Sequence, residues 1–452
     1  MEPPRQECPG CRALERRVRE LERRLDEAVR ASKRQAAPFS KGAPKDEPKR
    51  CGRKPNDGRG WFRRDVPRRP DEILDAPLPC ACPACGGRVR EVEVVEQLQT
   101  EVPKMEPRVT RFDVHVGRCE SCGSRVQGRH PRQASTALGA AGHHLGPNAM
   151  AMASYLQKVG GLSHGKIADF FEVAFSLTTG PSTWVRGILR AGRRLAPTYH
   201  RIEVIVRASR VVSSDETGWK VGGLLQWLWV FATPLFCLYR IRPSRGFDVP
   251  SDVLGADYAG YLNHDGWAPY GRFEKAIHQT CVAHLLRRAH LLLEEATRGA
   301  VRFPRAVRGI LKDALALRDR HEAGEVSDHG LAVAWGRLSS RIEALGNWRL
   351  SNDENRKFRK HLMNHQDEIL TFLRAPEVPA TNHLAERAIR PAVVNRKVWG
   401  GNRTENGAAA QEILASVLRT CRLQGIEPIR FLREMLSISP DPATVPAWAL
   451  GP

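Results

Sequence analysis

The chain has 452 residues, 41% of them hydrophobic, and carries a formal net charge of +21 with an isoelectric point near 10.0. That length exceeds one ordinary domain, and the apolar content supports a sizeable core. So large a basic excess points away from a basic or neutral partner surface and toward a polyanion, nucleic acid ahead of an anionic membrane surface. No secretory or transit segment is apparent, and the most apolar window, Leu224 to Tyr239, is broken by Gln226 and Thr233-Pro234. It reads as two buried strands joined by a turn instead of a membrane helix. A cytoplasmic, nucleoid-associated protein with no membrane partner is expected. The 11 cysteines include paired spacings that suit metal better than disulfides.

In residues 11–30, Leu14, Val18, Leu21, Leu25 and Ala28 form a heptad seam. Val18 and Leu25 take a positions, and Arg17 at g can meet Glu22 at e of a second copy in a parallel dimer. A solitary charged amphipathic helix reads the same way. Residues 1–35 are therefore assigned as a zipper segment, and 36–75 as a basic linker with little to bury. Within the linker, Arg53 and Lys54 precede Pro55 and would meet phosphates or enter a narrow minor groove.

Residues 76–130 carry two CxxC knuckles, Cys82/Cys85 and Cys119/Cys122, each followed by Gly. Four thiolates from two tight turns make a tetrahedral structural Zn²⁺ site, with a redox CxxC as the alternative. Alternating residues from Val89 to Thr100 and Val109 to Val116 read as strands of a zinc-ribbon-like module. Cys80 is a spare that could replace Cys82, and Cys8/Cys11 is a CxxC without a second pair.

Residues 131–200 read as helical. A helix capped by Ser163, a break at Val173 to Ser176 and a second helix starting at Pro181 resemble a helix-turn-helix. Trp184, Ile188 and Leu189 would point inward, while Arg186 and Arg190 would face DNA. An ordinary helical hairpin shares this pattern.

Residues 201–432 are assigned to one catalytic domain, and 433–452 to a tail. Strands are expected at Val211–Ser214, Gln226–Thr233, Leu235–Ile241 and Tyr258–Asn263, each an apolar or β-branched run. From Phe273 to Leu373 apolar residues recur at three and four, a helical pattern taken as an insertion at about 271–375. Asp215 ends the first expected strand, Asp265 follows the fourth, and Glu386 lies on a later helix with Asn382 one turn before it. Two Asp at strand ends and a helical Glu suit hard, oxygen-ligated cations such as Mg²⁺ or Mn²⁺. Arg387, Arg390, Arg396, Lys397 and Arg403 follow, and would hold phosphates beside them. Two ions about 4 Å apart would activate a hydroxyl and stabilise the leaving oxygen of a phosphodiester.

The segments Asp215-Glu216-Thr217-x-Trp219, Asp265-Gly266-x-Ala268-x-Tyr270 and Asn382-x-x-Ala385-Glu386-Arg387-x-x-Arg390-Pro391 resemble the insertion-sequence-sixty-six family of bacterial DDE transposases. The likeness extends over nearly the whole chain, including Gly52-Arg53-Lys54-Pro55 and the paired knuckles. It implies a multidomain protein around an α/β RNase H-like core, a mixed sheet flanked by helices, with an all-helical insertion before Glu386. It also implies double-stranded DNA (element ends and target) as the partner, and small accessory proteins encoded by the same element. Asp215, Asp265 and Glu386 would bind two ions, with Glu216 and Asn382 in support. Cys281-x-x-His284 resembles a signature of transposases with such insertions, and is read here as core packing, since only two ligands are visible. His383 departs from the family, which usually has Asn there. The expected activity is cleavage at element ends and joining of the freed 3′-hydroxyl to target DNA. The rival readings are a zinc-containing DNA-binding regulator derived from a transposase, and a nuclease of the same fold without strand transfer. Deleting residues 1–35 is expected to lower the oligomeric state, as measured by light scattering; an unchanged mass would remove the zipper.

Overall fold

The computed structural model describes residues 9–32, 69–102, 105–139, 144–295, 298–437 and 445–449. Arg53 and Lys54 lie outside them. The first helix, α1 (Pro9–Ser32), carries the heptad seam on its surface, with Leu14 and Leu25 about two-thirds exposed. A two-stranded antiparallel hairpin, β1 (Val116–Arg118) and β2 (Arg125–Gln127), brackets the second knuckle. The alternating stretches before it do not form the expected strands. Val92, Val94 and Val109 are almost fully exposed, so the period-two pattern there has no neighbouring strand to pair with.

Four helices lead into the core: α2 (Pro147–Lys158), α3 (His164–Phe175), α4 (Pro181–Arg194) and α5 (Ala196–Ala208). Ser163 caps α3 by accepting the Lys166 N–H, and Ser176 closes it in a left-handed conformation. Pro181 opens α4, where its missing N–H costs nothing. Trp184 of α4 stacks on Phe171 of α3 at 4.2 Å between ring centroids, which fixes the pair. Gly187 lies against Met150 of α2 so closely that a Cβ would stand 2.2 Å from its Cε.

Five strands then form one mixed sheet: β3 (Val211–Val221), β4 (Leu224–Ala232), β5 (Cys237–Arg242), β6 (Tyr261–His264) and β7 (Ile277–Thr280), in the order β5-β4-β3-β6-β7. The first three are antiparallel, while β6 and β7 run parallel to β3. Gly222-Gly223, both at positive φ, make the tight β3–β4 turn, and the Leu224–Tyr239 window supplies β4 and the first half of β5. The short helix α6 (Asp248–Leu254) lies in the crossover from β5 to β6. The bounds of β4, β5 and β6 shift by one to three residues from expectation, and two differences are larger. β3 does not stop before Asp215, because pairing to β4 carries it through Gly218 to Val221. β7 falls inside the stretch read as helical; four residues are too few for either period to show.

The insertion follows as α7 (Val282–Glu295), α8 (Arg302–Glu322), α9 (Asp328–Gly346) and α10 (Asp353–Asn364), with a core of its own around Phe303, Ile310, Phe358 and Phe372. The chain returns to the sheet as α11 (His383–Trp399) and α12 (Glu405–Leu423), and ends in α13 (Pro428–Leu436). Helix α12 closes the outer edge of β5. The Cys237, Tyr239 and Ile241 N–H groups donate to Thr420 Oγ1, Ser416 Oγ and Glu412 Oε1, successive positions on one helix face. On β3 the odd residues Trp219 and Val221 pack toward α11, and the even residue Val212 packs toward the core shared with α2–α5. Helices thus flank both faces of the sheet. Among the described residues, no helix is long and apolar enough to cross a membrane.

Gly401, at φ +120°, lies against β3, where a Cβ would meet the Lys220 carbonyl oxygen at 2.3 Å. Gly401→Ala is expected to destabilise the chain by roughly 1–3 kcal/mol, read as a lowered urea midpoint.

Candidate active site

The parallel register brings two acids together. Val211, Val212 and Ser213 of β3 face Tyr261, Leu262 and Asn263 of β6. Continued two residues further, the same offset puts Asp265 beside Asp215, on chains about 4.8 Å apart. Tyr261 to His264 likewise face Ile277 to Thr280, so Cys281 is next in line after Asp265.

The third acid arrives through a short connector. Asn263 Nδ2 donates to the carbonyls of Pro379 (2.6 Å) and Thr381 (3.3 Å), and the Val282 N–H donates to Ala380 O at 3.0 Å. Asn382, fully buried, donates its side-chain amide to Ser214 O at 2.8 Å and its N–H to Cys281 Sγ at 3.1 Å. These bonds pin residues 379–382 across the ends of β3, β6 and β7. Asn382 is the N-cap position of α11, and Glu386 lies in its first turn, where the helix dipole favours an anion.

Alternation along β3 separates the two adjacent acids. Asp215 shares the α11 side with Thr217, whose hydroxyl takes a bond from Arg396 of α11. Glu216 lies on the opposite side, buried. Its Oε1 accepts from Arg245 at 2.8 and 3.0 Å, and its Oε2 accepts from the Tyr270 hydroxyl at 3.0 Å. Arg245 in turn packs on the faces of Trp267 and Trp227. Glu216 is thus tied up as a support, and Asp215 is left toward Glu386.

Burial, and then the charges of Glu216, Asp265 and Glu386, push Asp215 up to about 8, against a bond from the Glu216 N–H. Burial and the Asp265 charge also raise Glu216, opposed by Arg245 and Tyr270. Like charges so close favour protonation unless a cation joins them.

The Asp265 turn has its own brace. His264 Nδ1 accepts the Gly266 N–H, and its Nε2 meets His278 Nδ1 at 3.0 Å. Burial foremost, then His278, lowers His264 to about 3. Burial alone would raise Glu368, but bonds from His365 and Thr280 hold it down at about 2. Gly266, at φ +89°, leaves room for His361, whose ring a Cβ would meet at 2.9 Å.

Other expected residues are placed as follows. Arg186 and Arg190 lie on the exposed face of α4, and Arg387, Arg390, Lys397 and Arg403 are exposed near α11. Arg396 departs from the expectation. It is 5% exposed and donates to Thr217 Oγ1 at 3.0 Å and to Gly218 O, so it braces β3 instead of facing solvent. The two knuckles are matched turns: Cys82 N–H to Gly87 O and Cys119 N–H to Ser124 O are both 2.9 Å. Local N–H groups of Ala84 and Cys85 lower the Cys82 thiol, and Ser124 lowers that of Cys122. Each turn is thus suited to thiolate ligands. Among the described residues, the four sulfurs do not gather into a set of three within 4.8 Å.

The set that does gather is Cys281, His284 and Glu386. Cys281 is core, as expected, but His284 is not merely packing: its Nδ1 stands 3.5 Å from Glu386 Oε1. Arg245 and Tyr270 were missed as supports. A lone Arg in a loop gives no sequence signal, whereas Tyr270 was quoted only as part of a motif.

Residues 143–410 match the sequence profile of the transposase IS66 family. The chain belongs to that family. It is also similar to three proteins of Sinorhizobium fredii. It shares 26% identity over 439 residues with uncharacterized protein y4hP, covering 85% of this chain and 76% of that one. It shares 24% over 244 residues with y4qI, covering 47% and 43%, and 28% over 109 residues with y4jO, covering 24% and 33%. The chain thus spans less than half the length of two of these relatives. The match to the IS66 family includes every strand of the mixed sheet, the whole insertion and α11.

Because the folded pKa of Asp215 lies above the unfolded value near 3.9, the folded state keeps a proton that the unfolded chain has lost. Stability therefore falls as pH rises from about 4 to about 8. Without metal, Asp215→Asn is expected to raise stability by a few kcal/mol at pH 8, with a much smaller gain at pH 4–5. Melting curves in chelator at the two pH values check this; an equal gain at both would contradict it.

Proposed function

We propose that the chain is a DDE transposase that cleaves phosphodiester bonds at the ends of its element and joins the freed 3′-hydroxyl to target DNA. The observation that carries this reading is the register between β3 and β6. Carried two residues further, it supports Asp215 and Asp265 as neighbours, and the Asn263 and Asn382 bonds support Glu386 at the same end of the sheet.

The residues fit divalent cations. A carboxyl pushed up to about 8 by burial and then by neighbouring acids is short of positive charge, and Glu386 Oε1 is buried without a hydrogen-bond partner. Asp215, Asp265 and Glu386 would hold two Mg²⁺ or Mn²⁺ ions. Such ions supply charge at both the attacking and leaving oxygens of the phosphodiester. The chain itself does the positioning. β3 carries one acid and the end of β6 leads into the other, and Arg245 with Tyr270 holds Glu216. Exposed Arg387 and Arg390 flank Glu386 on α11 and are read as phosphate contacts, with Lys397 and Arg403 further along. Arg186 and Arg190, in a helix-turn-helix reading of α3 and α4, would face the element ends, joined by Arg53 and Lys54.

The matched knuckle turns support one structural Zn²⁺ held by Cys82, Cys85, Cys119 and Cys122. The exposed apolar seam of α1 supports at least a dimer.

Asp215→Ala and Glu386→Gln are expected to lose Mg²⁺-dependent cleavage of DNA bearing the element ends by a factor of 10³ or more, on the order of 4 kcal/mol of barrier. Binding of the same DNA in gel shift should change little. Normal cleavage by either variant would sink the mechanism; cleavage without strand-transfer products in the unaltered chain would favour a nuclease.

A further inference from the structure

Glu386 has a second set of neighbours that the cleavage chemistry does not use. Cys281 ends the line of strand-tip residues after β7, and His284 lies on the first turn of α7, its N–H bonded to Cys281 O at 3.1 Å. One sulfur, one imidazole nitrogen and one carboxylate oxygen of Cys281, His284 and Glu386 all lie within 4.8 Å of one another. His284 Nδ1 and Glu386 Oε1 are both buried atoms, 3.5 Å apart, and neither has a hydrogen-bond partner. Asn382, whose N–H reaches Cys281 Sγ, contributes another buried unpartnered oxygen, Oδ1. A gap lined by buried polar atoms left without partners is costly unless a ligand occupies it. Ligand atoms about 2.0–2.1 Å from a tetrahedral zinc ion lie about 3.3 Å apart, close to the His284–Glu386 separation.

We propose that Cys281, His284 and Glu386 form a distinct three-ligand site for a thiophilic divalent cation such as Zn²⁺. A sulfur, nitrogen and oxygen set selects such an ion over Mg²⁺, which prefers oxygen ligands alone. Cys281 gives up its thiol proton to solvent on binding. Because Glu386 is common to both sets, the soft ion and the hard ions compete for it. Zn²⁺ bound there withholds the third carboxylate from Asp215 and Asp265. This competition rests on the transposase reading of the three acids; the binding site itself does not.

The test uses the full chain, its Cys281→Ala and His284→Ala variants, and Zn²⁺ alone as the probe. Native mass spectrometry after equilibration with Zn²⁺ counts ions per chain, and Co²⁺ substitution reads thiolate ligation by its charge-transfer absorption. The unaltered chain is expected to hold one ion more than either variant, with less thiolate absorption in Cys281→Ala. The His284 side chain is 33% exposed, so its variant keeps the test valid if the buried Cys281 change unfolds the chain. Equal ion counts in the unaltered chain and His284→Ala would overturn the site. The second readout is inhibition of Mg²⁺-dependent cleavage by Zn²⁺, where His284→Ala should need at least about tenfold more Zn²⁺. An unshifted inhibition curve would overturn the competition. A chain that loses an ion in both variants yet cleaves no DNA keeps this site and fails the transposase reading. A chain that cleaves DNA but loses no ion does the reverse.

Discussion

The site depends on a register. Parallel pairing of β3 with β6, and of β6 with β7, runs to within two residues of Asp215, Asp265 and Cys281 and carries all three to the same end of the sheet. A slip of one residue would turn every side chain of a strand to the other face. The offset that carries Asp265 toward Asp215 would then be lost. The asparagines protect this arrangement. Asn263 and Asn382 use buried amides to tie a connector to three strand ends, where an unpaired amide would be costly. The site is therefore set by backbone pairing first, and only then by the acids.

That order explains what the sequence discloses. Asp215, Asp265 and Glu386 stand out because strand-forming runs and a helical segment carry them, and the family likeness groups them. Which of Asp215 and Glu216 faces the site is undecided without knowing the sides of β3, and it is answered by Tyr270 and Arg245, 54 and 29 positions away. The five-stranded mixed sheet flanked by helices agrees with the expected core. The continuation of β3 through Gly218 was hidden because a Gly reads as a stop, whereas a full-length antiparallel neighbour overrides it. β7 was hidden by brevity. Arg396 looks like its exposed neighbours in sequence, and only the packing of α11 on β3 turns it inward.

Burying several carboxylates at one end of a sheet costs stability that the insertion and flanking helices must offset. The pair of Glu216 with Arg245 and the Tyr270 bridge lower that cost locally. Asp215 is left with none of these aids beyond one backbone N–H. Its strain is the counterpart of its availability to a cation.

The seal that α12 places on β5 has a consequence for synthesis. The three N–H groups of Cys237, Tyr239 and Ile241 find their acceptors on residues 412–420, which leave the ribosome about 170 residues later. Until then a growing chain presents an open sheet edge, able to pair with the same edge of another nascent copy. Glu386 is also made before that seal is complete, so the acids can meet while the sheet is still open on its far side. A ribosome stalled between the two would leave a chain with its three acids present and its edge bare, prone to aggregate.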